Sequence, residues 1–442
     1  VILLKKTAMA VRLSTANPDF EVAFQSRILS KRGDEVDLRQ QVADILRNVR
    51  ADQAGCLAQM TNAHDRWPAT TERLRVWPDE RDAIAAQADR ADVAALGFAA
   101  DRIRAHHQRM MPSDFAYHDG FGTELGWRWT ALDSVGLYVP GGRAAYPSSL
   151  LMNAIPAQVA GVERLALVTP TMDGVMNPLV FAAAKMLGIA EIYRVGGAQA
   201  IGALAYGGEV IAAVDKIVGP GNAYVAEAKR QVFGDVGIDA IAGPSEILVI
   251  ADASNDPRWI AADLLSQTEH GPDSQAVLIS DDAAFIAAVG AAIEAILDGL
   301  ATGKTARAAW EQHGAMILVA DLAGEGARLA NRIAAEHVEI AAADAEAIAR
   351  NIRHAGALFI GPFAPEALGD YVTGSNHVLP TGRAARFSSG LGAVDFLKRM
   401  SVQKISAQGF AHLRDAAARL AHAEGLPAHA LSVEIRDDRS RR

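Results

Sequence analysis

Thiol chemistry has a single representative in this sequence, Cys56. A disulfide within the chain is therefore excluded, and so is a zinc site made of thiolates. Long apolar runs are missing too: none reaches the ~18 residues that a membrane-spanning helix needs. Positive charge is in deficit, with 43 Lys and Arg against 52 Asp and Glu and a net charge of -9. That balance argues against a nucleic-acid or anionic-membrane surface, both of which want clustered Lys and Arg. The opening residues, Val1-Ile2-Leu3-Leu4-Lys5-Lys6, set their apolar block before their charges and are too short for a secretory signal. No low-complexity linker is found, and no sequence repeat beyond two strand-rich halves. A cytoplasmic protein is expected.

What is present is the composition of an ordinary soluble enzyme, half apolar and 21% charged. At 442 residues the chain exceeds one ordinary core, so two or three domains are expected. Residues 37–50 put Leu38, Val42, Ile45, Leu46 and Val49 on one helical face, with Asp34 or Asp37 as N-cap. An Ala-rich helical pattern runs from Asp79 to about Met111, where Pro112 stops it. His106 and His107 point about 100° apart on that helix and read as solvated surface.

From Leu132 the pattern changes. Residues 135–139, 165–168, 192–195 and 216–218 read as strands, with helical runs at 179–187 and 199–205. A second run has strands at 247–251, 276–279, 316–319 and 357–360 and helices at 285–297 and 322–334. Strand, turn and helix in repetition signal a parallel sheet. The expected class is α/β: two Rossmann-like, incomplete parallel-sheet domains plus small N-terminal helical and C-terminal tail segments. Ligands are expected at the carboxyl ends of the strands, where helix N-termini suit phosphates. The G-x-G-x-x-G fingerprint is absent, because Gly219-Pro220-Gly221-Asn222-Ala223-Tyr224 places a tyrosine at the third glycine. A nucleotide loop and a plain tight turn both stay open there.

Reactive side chains concentrate at residues 264–275. An apolar helix from Ile260 ends in polar groups before Gly271-Pro272. Gln267 and His270 share a helical face, and a carbonyl oxygen and an imidazole so placed can hold one metal ion. A capping or hydrogen-bonded histidine is the blander alternative. Four further polar clusters sit in turns: Glu336-His337, Asp370, Asn376-His377, and Glu424 with His429. Each has a plain reading as well, as a helix cap or as surface.

Longer blocks add to this. Val135-Gly136-Leu137-Tyr138-Val139-Pro140-Gly141-Gly142, Val195-Gly196-Gly197-Ala198-Gln199-Ala200 and Val218-Gly219-Pro220-Gly221-Asn222-Ala223 resemble signature blocks of the histidinol dehydrogenase family. So do Ala242-Gly243-Pro244-Ser245-Glu246, Leu264 to Gln275, and Ser375-Asn376-His377-Val378-Leu379-Pro380-Thr381. The similarity runs in order from about Phe20 to Val433 and is looser in the first hundred residues, notably at 55–67. Val1 to Ala10 match nothing in the family, which leaves the true start of the chain open.

The resemblance implies an N-terminal arm (1–34), a catalytic and metal-binding α/β domain (35–134 and 244–391), an NAD-binding Rossmann-like domain (135–243) and a C-terminal dimerisation tail (392–442). It implies one Zn2+ per subunit on Gln267, His270, Asp370 and His429, nitrogen and oxygen donors without sulfur. The family's catalytic pair falls on Glu336 and His337: His337 as general base for the alcohol, Glu336 activating water against the aldehyde. Substrate contacts fall on Ser245, His377 and Glu424, together with Gln267, His270, His337, Asp370 and His429. NAD contacts fall on Tyr138, Gln199 and Asn222. The implied reaction is the four-electron oxidation of L-histidinol to L-histidine through L-histidinal with two NAD, the last step of histidine biosynthesis. In the family the tail crosses to the partner, which implies a homodimer with shared active sites. A thiohemiacetal route has only Cys56 to draw on. The rival readings are a dehydrogenase of another polar alcohol, such as the sulfopropanediol dehydrogenases, a zinc hydrolase with Glu336 activating water, and a catalytically dead zinc scaffold.

Overall fold

Two six-stranded sheets and a three-stranded one organise the computed structural model, which describes residues 10–30, 38–141, 146–241 and 243–437. In chain order the strands are β1 (Val11–Ser14), β2 (Arg75–Val76), β3 (Phe115–His118), β4 (Thr123–Ala131), β5 (Ser134–Tyr138), β6 (Arg164–Val168), β7 (Glu191–Tyr193) and β8 (Lys216–Val218). They continue with β9 (Gly237–Ile238), β10 (Glu246–Ala251), β11 (Gln275–Ser280), β12 (Ala315–Leu318), β13 (His337–Ala341), β14 (Ala357–Ile360) and β15 (Leu397–Ile405).

The first sheet has the order β2-β7-β6-β5-β8-β9 and the second β1-β12-β11-β10-β13-β14. Setting aside the edge strands β2 and β1, each sheet runs third, second, first, fourth, fifth in its own succession. That is the order of a doubly wound dinucleotide-binding half, whose crevice opens where the order reverses. The reversal falls between β5 and β8 in the first sheet and between β10 and β13 in the second. Pairing is parallel throughout, except that β2 joins β7 antiparallel.

The central strands are apolar without alternation because helices cover both faces. In β10 and β11 every residue is buried. Phe20, Phe24 and Ile28 from the N-terminal arm pack on the second sheet with Leu329, Ala330 and Ile333. Leu38, Val42, Leu46 and Val49 form the buried face of the Arg39–Ala51 helix and pack with Ile201 and Leu204 on the first sheet. Residues 39–65, which the resemblance groups with 244–391, thus sit on the 134–238 sheet. Cys56 lies in that same core cluster. The N-cap candidates Asp34 and Asp37 fall outside the described residues.

Several sequence expectations are corrected. The Ala-rich stretch is two helices, Pro78–Ala85 and Arg90–Arg109. Asp89 divides them, its carboxylate accepting from Ala91 N at 2.7 Å, because a side-chain cap competes with helix continuation. His107 is buried rather than solvated, with Nδ1 3.0 Å from the Ile103 carbonyl. The helix expected at 322–334 opens with a π-type turn, Leu322–Gly326, before Ala327–Ile333. It then stops at Ala334, which adopts φ 51°, and β13 begins three residues later.

A second compact unit comprises Met111–Leu132 and Phe396–Arg442. Its sheet has the order β15-β4-β3, antiparallel, with nine residues of β15 facing nine of β4 from Leu397↔Ala131 to Ile405↔Thr123. The helices Ala407–Ala423 and Pro427–Glu434 follow. Among the described residues no helix is long and apolar enough to cross a membrane.

Leu248 sits at the middle of β10 with no exposed surface. Leu248→Ala is expected to cost about 2–5 kcal/mol through lost burial and the cavity left behind. A urea unfolding midpoint compared with wild type measures it.

Candidate active site

At the first sheet's reversal, Tyr138 ends β5 and Gly219 follows β8 directly. The buried Tyr138 hydroxyl accepts from Gly197 N at 3.1 Å, which ties β5 to the turn opening the Gly197–Tyr206 helix. Burial pushes the Tyr138 hydroxyl up to about 12, against the pull of that bond. Gln199 lies buried in the same helix. Asn222 caps the Ala223–Val232 helix, its side-chain oxygen accepting from Tyr224 N and Val225 N at 3.1 and 3.2 Å. Gly219 has to be glycine: its φ is 123°, and a Cβ would stand 2.0 Å from the Tyr138 carbonyl oxygen. Two helix N-termini therefore open on one crevice, the arrangement that suits a pyrophosphate.

The polar cluster of the second sheet lies at the opposite edge from the one expected. Ser245, Glu336 and His337 stand at the amino ends of β10 and β13, not at carboxyl ends. The reason is the crossover: the Pro257–Thr268 helix runs back from β10 to the start of β11 and delivers Gln267 and His270 to the amino edge. Gln267 is fully buried, and its Nε2 lies 2.9 Å from His270 Nδ1. His270 falls just beyond the helix, in the turn after the Glu269 cap.

Glu246, first residue of β10, holds the neighbouring pair. Its N–H donates to Glu336 Oε2 at 3.1 Å, and its carbonyl lies 3.1 Å from His337 Nδ1. A carbonyl can only accept, so Nδ1 carries the proton. Nε2 then points to Asp370 Oδ1 at 3.5 Å and Glu366 Oε1 at 3.7 Å. His377 Nδ1 lies 2.9 Å from the Asp370 carbonyl, and its Nε2 lies 3.3 Å from Ser149 Oγ. Asn376 Nδ2 donates to the Met152 carbonyl at 2.6 Å. Ser149 and Met152 belong to the Pro147–Ala160 helix that follows β5, so the carboxyl edge of the first sheet meets the amino edge of the second. Glu424 caps the Ala407–Ala423 helix and His429 lies in Pro427–Glu434, both exposed and both in the second compact unit.

Burial pushes the Glu336 carboxyl up to about 7, while His337 works against it. Burial alone would lower His337, but the facing Asp370 carboxylate and the charges of Glu336 and Glu366 raise it to about 9. Glu366 rises to about 8 through burial and the Asp370 charge. Asp370 also feels burial, yet its charge contact with His337 brings it below the ordinary range. Burial lowers His270 and His377, with Asp370 opposing in each case.

Two buried atoms of the cluster have no hydrogen-bond partner, Gln267 Oε1 and His337 Nε2. A desolvated acceptor left bare costs about 1–3 kcal/mol, so these are places where a cation or a substrate proton is welcome. His337, Glu366 and Asp370 also have ligand atoms within 4.8 Å of one another. The residues missed by sequence reading are Glu366, Ser149 and Glu246. Glu366 opens a short helix after Pro365 and looks in sequence like an ordinary first-turn acid. Only the fold turns it inward.

A doubly wound crevice facing a buried carboxylate–imidazole cluster is the equipment of a dinucleotide-dependent oxidoreductase. The histidinol dehydrogenase family model matches residues 29–437, and the chain belongs to that family. Histidinol dehydrogenase of Agrobacterium fabrum is 55% identical over 428 residues, 97% of this chain and 99% of the relative. That of Caulobacter vibrioides is 55% identical over 426 residues, covering 96% and 98%. The crystal structure of histidinol dehydrogenase from Elizabethkingia anophelis superposes with a TM-score of 0.92 at 33% identity, over 97% of this chain and 98% of that one.

Glu336 generates a pH prediction. Its raised folded-state pKa means that the native metal-free protein binds more protons than the unfolded chain between about pH 4.5 and 7. Stability contributed by this group is full below 4.5 and is lost as pH rises through 7, on the order of 3 kcal/mol. Glu336→Gln is expected to flatten that decline, measured by urea unfolding at pH 5 and pH 8.

Proposed function

We propose that this chain oxidises L-histidinol to L-histidine through L-histidinal, passing two hydrides to two NAD. The observation that carries this reading is the Glu336–His337 pair, buried and held by one backbone residue at the meeting of the two sheets. His337 Nε2 draws the alcohol proton while hydride leaves the carbinol carbon for the nicotinamide. Glu336 then takes a proton from the water that attacks the aldehyde carbon. The second hydride leaves from the resulting hydrate anion to the second NAD, giving the carboxylic acid, which releases its proton to solvent as the carboxylate. No thiol is needed, and Cys56 is packed among Leu46, Leu57 and Leu204 in the first sheet's core. Tyr138, Gln199 and Asn222 are assigned to NAD, at the switch point where such folds bind dinucleotides. Ser245, His377 and Glu424 are assigned to substrate, as are the four metal ligands and His337.

The metal reading rests on Gln267, His270, Asp370 and a His429. The bare Gln267 Oε1, the neighbouring imidazole and the Asp370 carboxylate fit a Zn2+ in donor chemistry. When bound, Zn2+ would supply a Lewis acid that orients the amino alcohol. We favour this set over His337, Glu366 and Asp370, because His337 Nε2 has to stay free to accept a proton. As a zinc ligand the Asp370 carboxylate would share its charge with the metal, which would lessen its hold on the His337 proton. His429 is taken to come from the second subunit of a homodimer, a role in keeping with its place in a separate compact unit.

Purified protein with histidinol and excess NAD is expected to yield two NADH per substrate, read at 340 nm; a hydrolase would yield none. His429→Ala and Gln267→Ala should each lose zinc and activity. If sites are shared, random mixing of the two restores about a quarter of wild-type activity, since half the dimers are mixed and each has one intact site. No rescue in verified heterodimers would exclude shared sites.

A further inference from the structure

Lys229, on the Ala223–Val232 helix, and Asp239, just after β9, form an ion pair whose side chains are only 3% and 4% exposed. Neither residue has a part in the chemistry above. Taking two charges out of water is costly unless further hydrogen bonds complete both groups. Here the completing partner is one residue. Lys229 Nζ donates to the Gly219 carbonyl at 3.0 Å, and Gly219 N donates to Asp239 Oδ2 at 2.8 Å. Asp239 is itself fixed, because its N–H donates to the Ile217 carbonyl at 3.2 Å across from β8. Lys229 projects from the Ala223–Val232 helix that Asn222 caps.

The gripped residue is the one with least conformational restraint of its own. Gly219 sits at φ 123° against the Tyr138 carbonyl, and glycine peptides rotate more freely than any other. Pro220 follows and offers no N–H to hold the turn. Stability alone does not call for charges at this point, since well-packed apolar residues in place of a buried ion pair are often neutral or stabilising. What an apolar pair could not do is bind both the N–H and the C=O of Gly219.

We propose that Lys229 and Asp239 are positioning residues for the dinucleotide: together they fix the peptide planes of Gly219 and so aim Gly221-Asn222 and the helix N-terminus at the cofactor. This rests on the reading of Tyr138, Gln199 and Asn222 as the NAD site.

The test is calorimetric NAD binding and steady-state kinetics on the double variant Lys229→Met/Asp239→Leu, with Asn222→Ala as reference. The double variant is expected to melt near the wild-type temperature, to bind NAD about tenfold or more weakly, and to keep its KM for histidinol. Lys229→Met/Asp239→Asn keeps an amide oxygen for Gly219 N without a bare buried charge and is expected to show an intermediate loss, so the inference is read even if the Met/Leu variant does not fold. NAD affinity within about twofold of wild type in either folded variant, with Asn222→Ala weakened, overturns the positioning role alone. Wild-type NAD affinity in Asn222→Ala overturns the placement of the cofactor and the inference with it.

Discussion

The hydrogen bond between His337 Nδ1 and the Glu246 carbonyl is the constraint on which the site depends. It exists because β13 lies parallel to β10 with His337 opposite Ile247, which sets the imidazole beside the first peptide of β10. A ring held by Nδ1 has one tautomer when neutral, and its other nitrogen has one direction to face. The same Glu246 binds the Glu336 carboxylate through its N–H. Two adjacent side chains are thereby turned toward a common space by two groups of one peptide strand. The backbone there has no freedom, since it lies inside a six-stranded parallel sheet.

That arrangement is electrostatically expensive. Glu336, Glu366 and Asp370 lie around one imidazole, and two residues further along β13 Glu339 is buried beside Asp263. Burial and the Asp263 charge push Glu339 up to about 9, while burial raises Asp263 to about 6. Like-signed groups in a shared low-dielectric space cannot all ionise, so protons are retained at neutral pH. A site with surplus carboxylates, a bare amide oxygen and a bare imidazole nitrogen is one prepared for positive charge or a transferable proton. The cost is borne by the second sheet, whose strands β10, β11 and β13 are buried from end to end.

How much of this the sequence discloses depends on which force shaped each segment. Strands β10 and β11 are legible because burial on both faces gives unbroken apolar runs, Ile247 to Ala251 and Ala276 to Ile279. Strand β13 is not, because His337-Val338-Glu339-Ile340-Ala341 interleaves functional acids and imidazole with apolar residues. Chemistry has there overwritten the pattern of the fold. The antiparallel strands β4 and β15 escape for another reason: Lys398, Arg399, Gln403 and Lys404 give β15 no buried stripe to read. In the site, Gln267 and His270 are legible as a pair from spacing alone, whereas Glu366 and Ser149 come into play only through tertiary contacts to His337 and His377. The choice of sheet edge was likewise beyond local pattern, being decided by where a crossover helix returns.

The two crevices solve one problem in opposite ways. At the amino edge of the second sheet the backbone of Glu246 is rigid, and it orders the two side chains to which the proposed reaction gives proton transfer. At the carboxyl edge of the first sheet the side chains of Lys229 and Asp239 are rigid, and they order a glycine peptide that has no restraint of its own. The difference follows from what each ligand demands. Proton transfer needs side-chain atoms of tunable pKa, and a fixed peptide holds them without adding a further titrating group. A dinucleotide's phosphates need close backbone approach, which requires glycine and therefore an external brace. Ser149 and Met152, in the first two turns of the Pro147–Ala160 helix, contact His377 and Asn376, so the two crevices are joined through packed secondary structure and not through a loop alone. Hydride transfer tolerates little error in the distance between donor carbon and nicotinamide. Rigid backing on both sides of the junction is what such a tolerance requires.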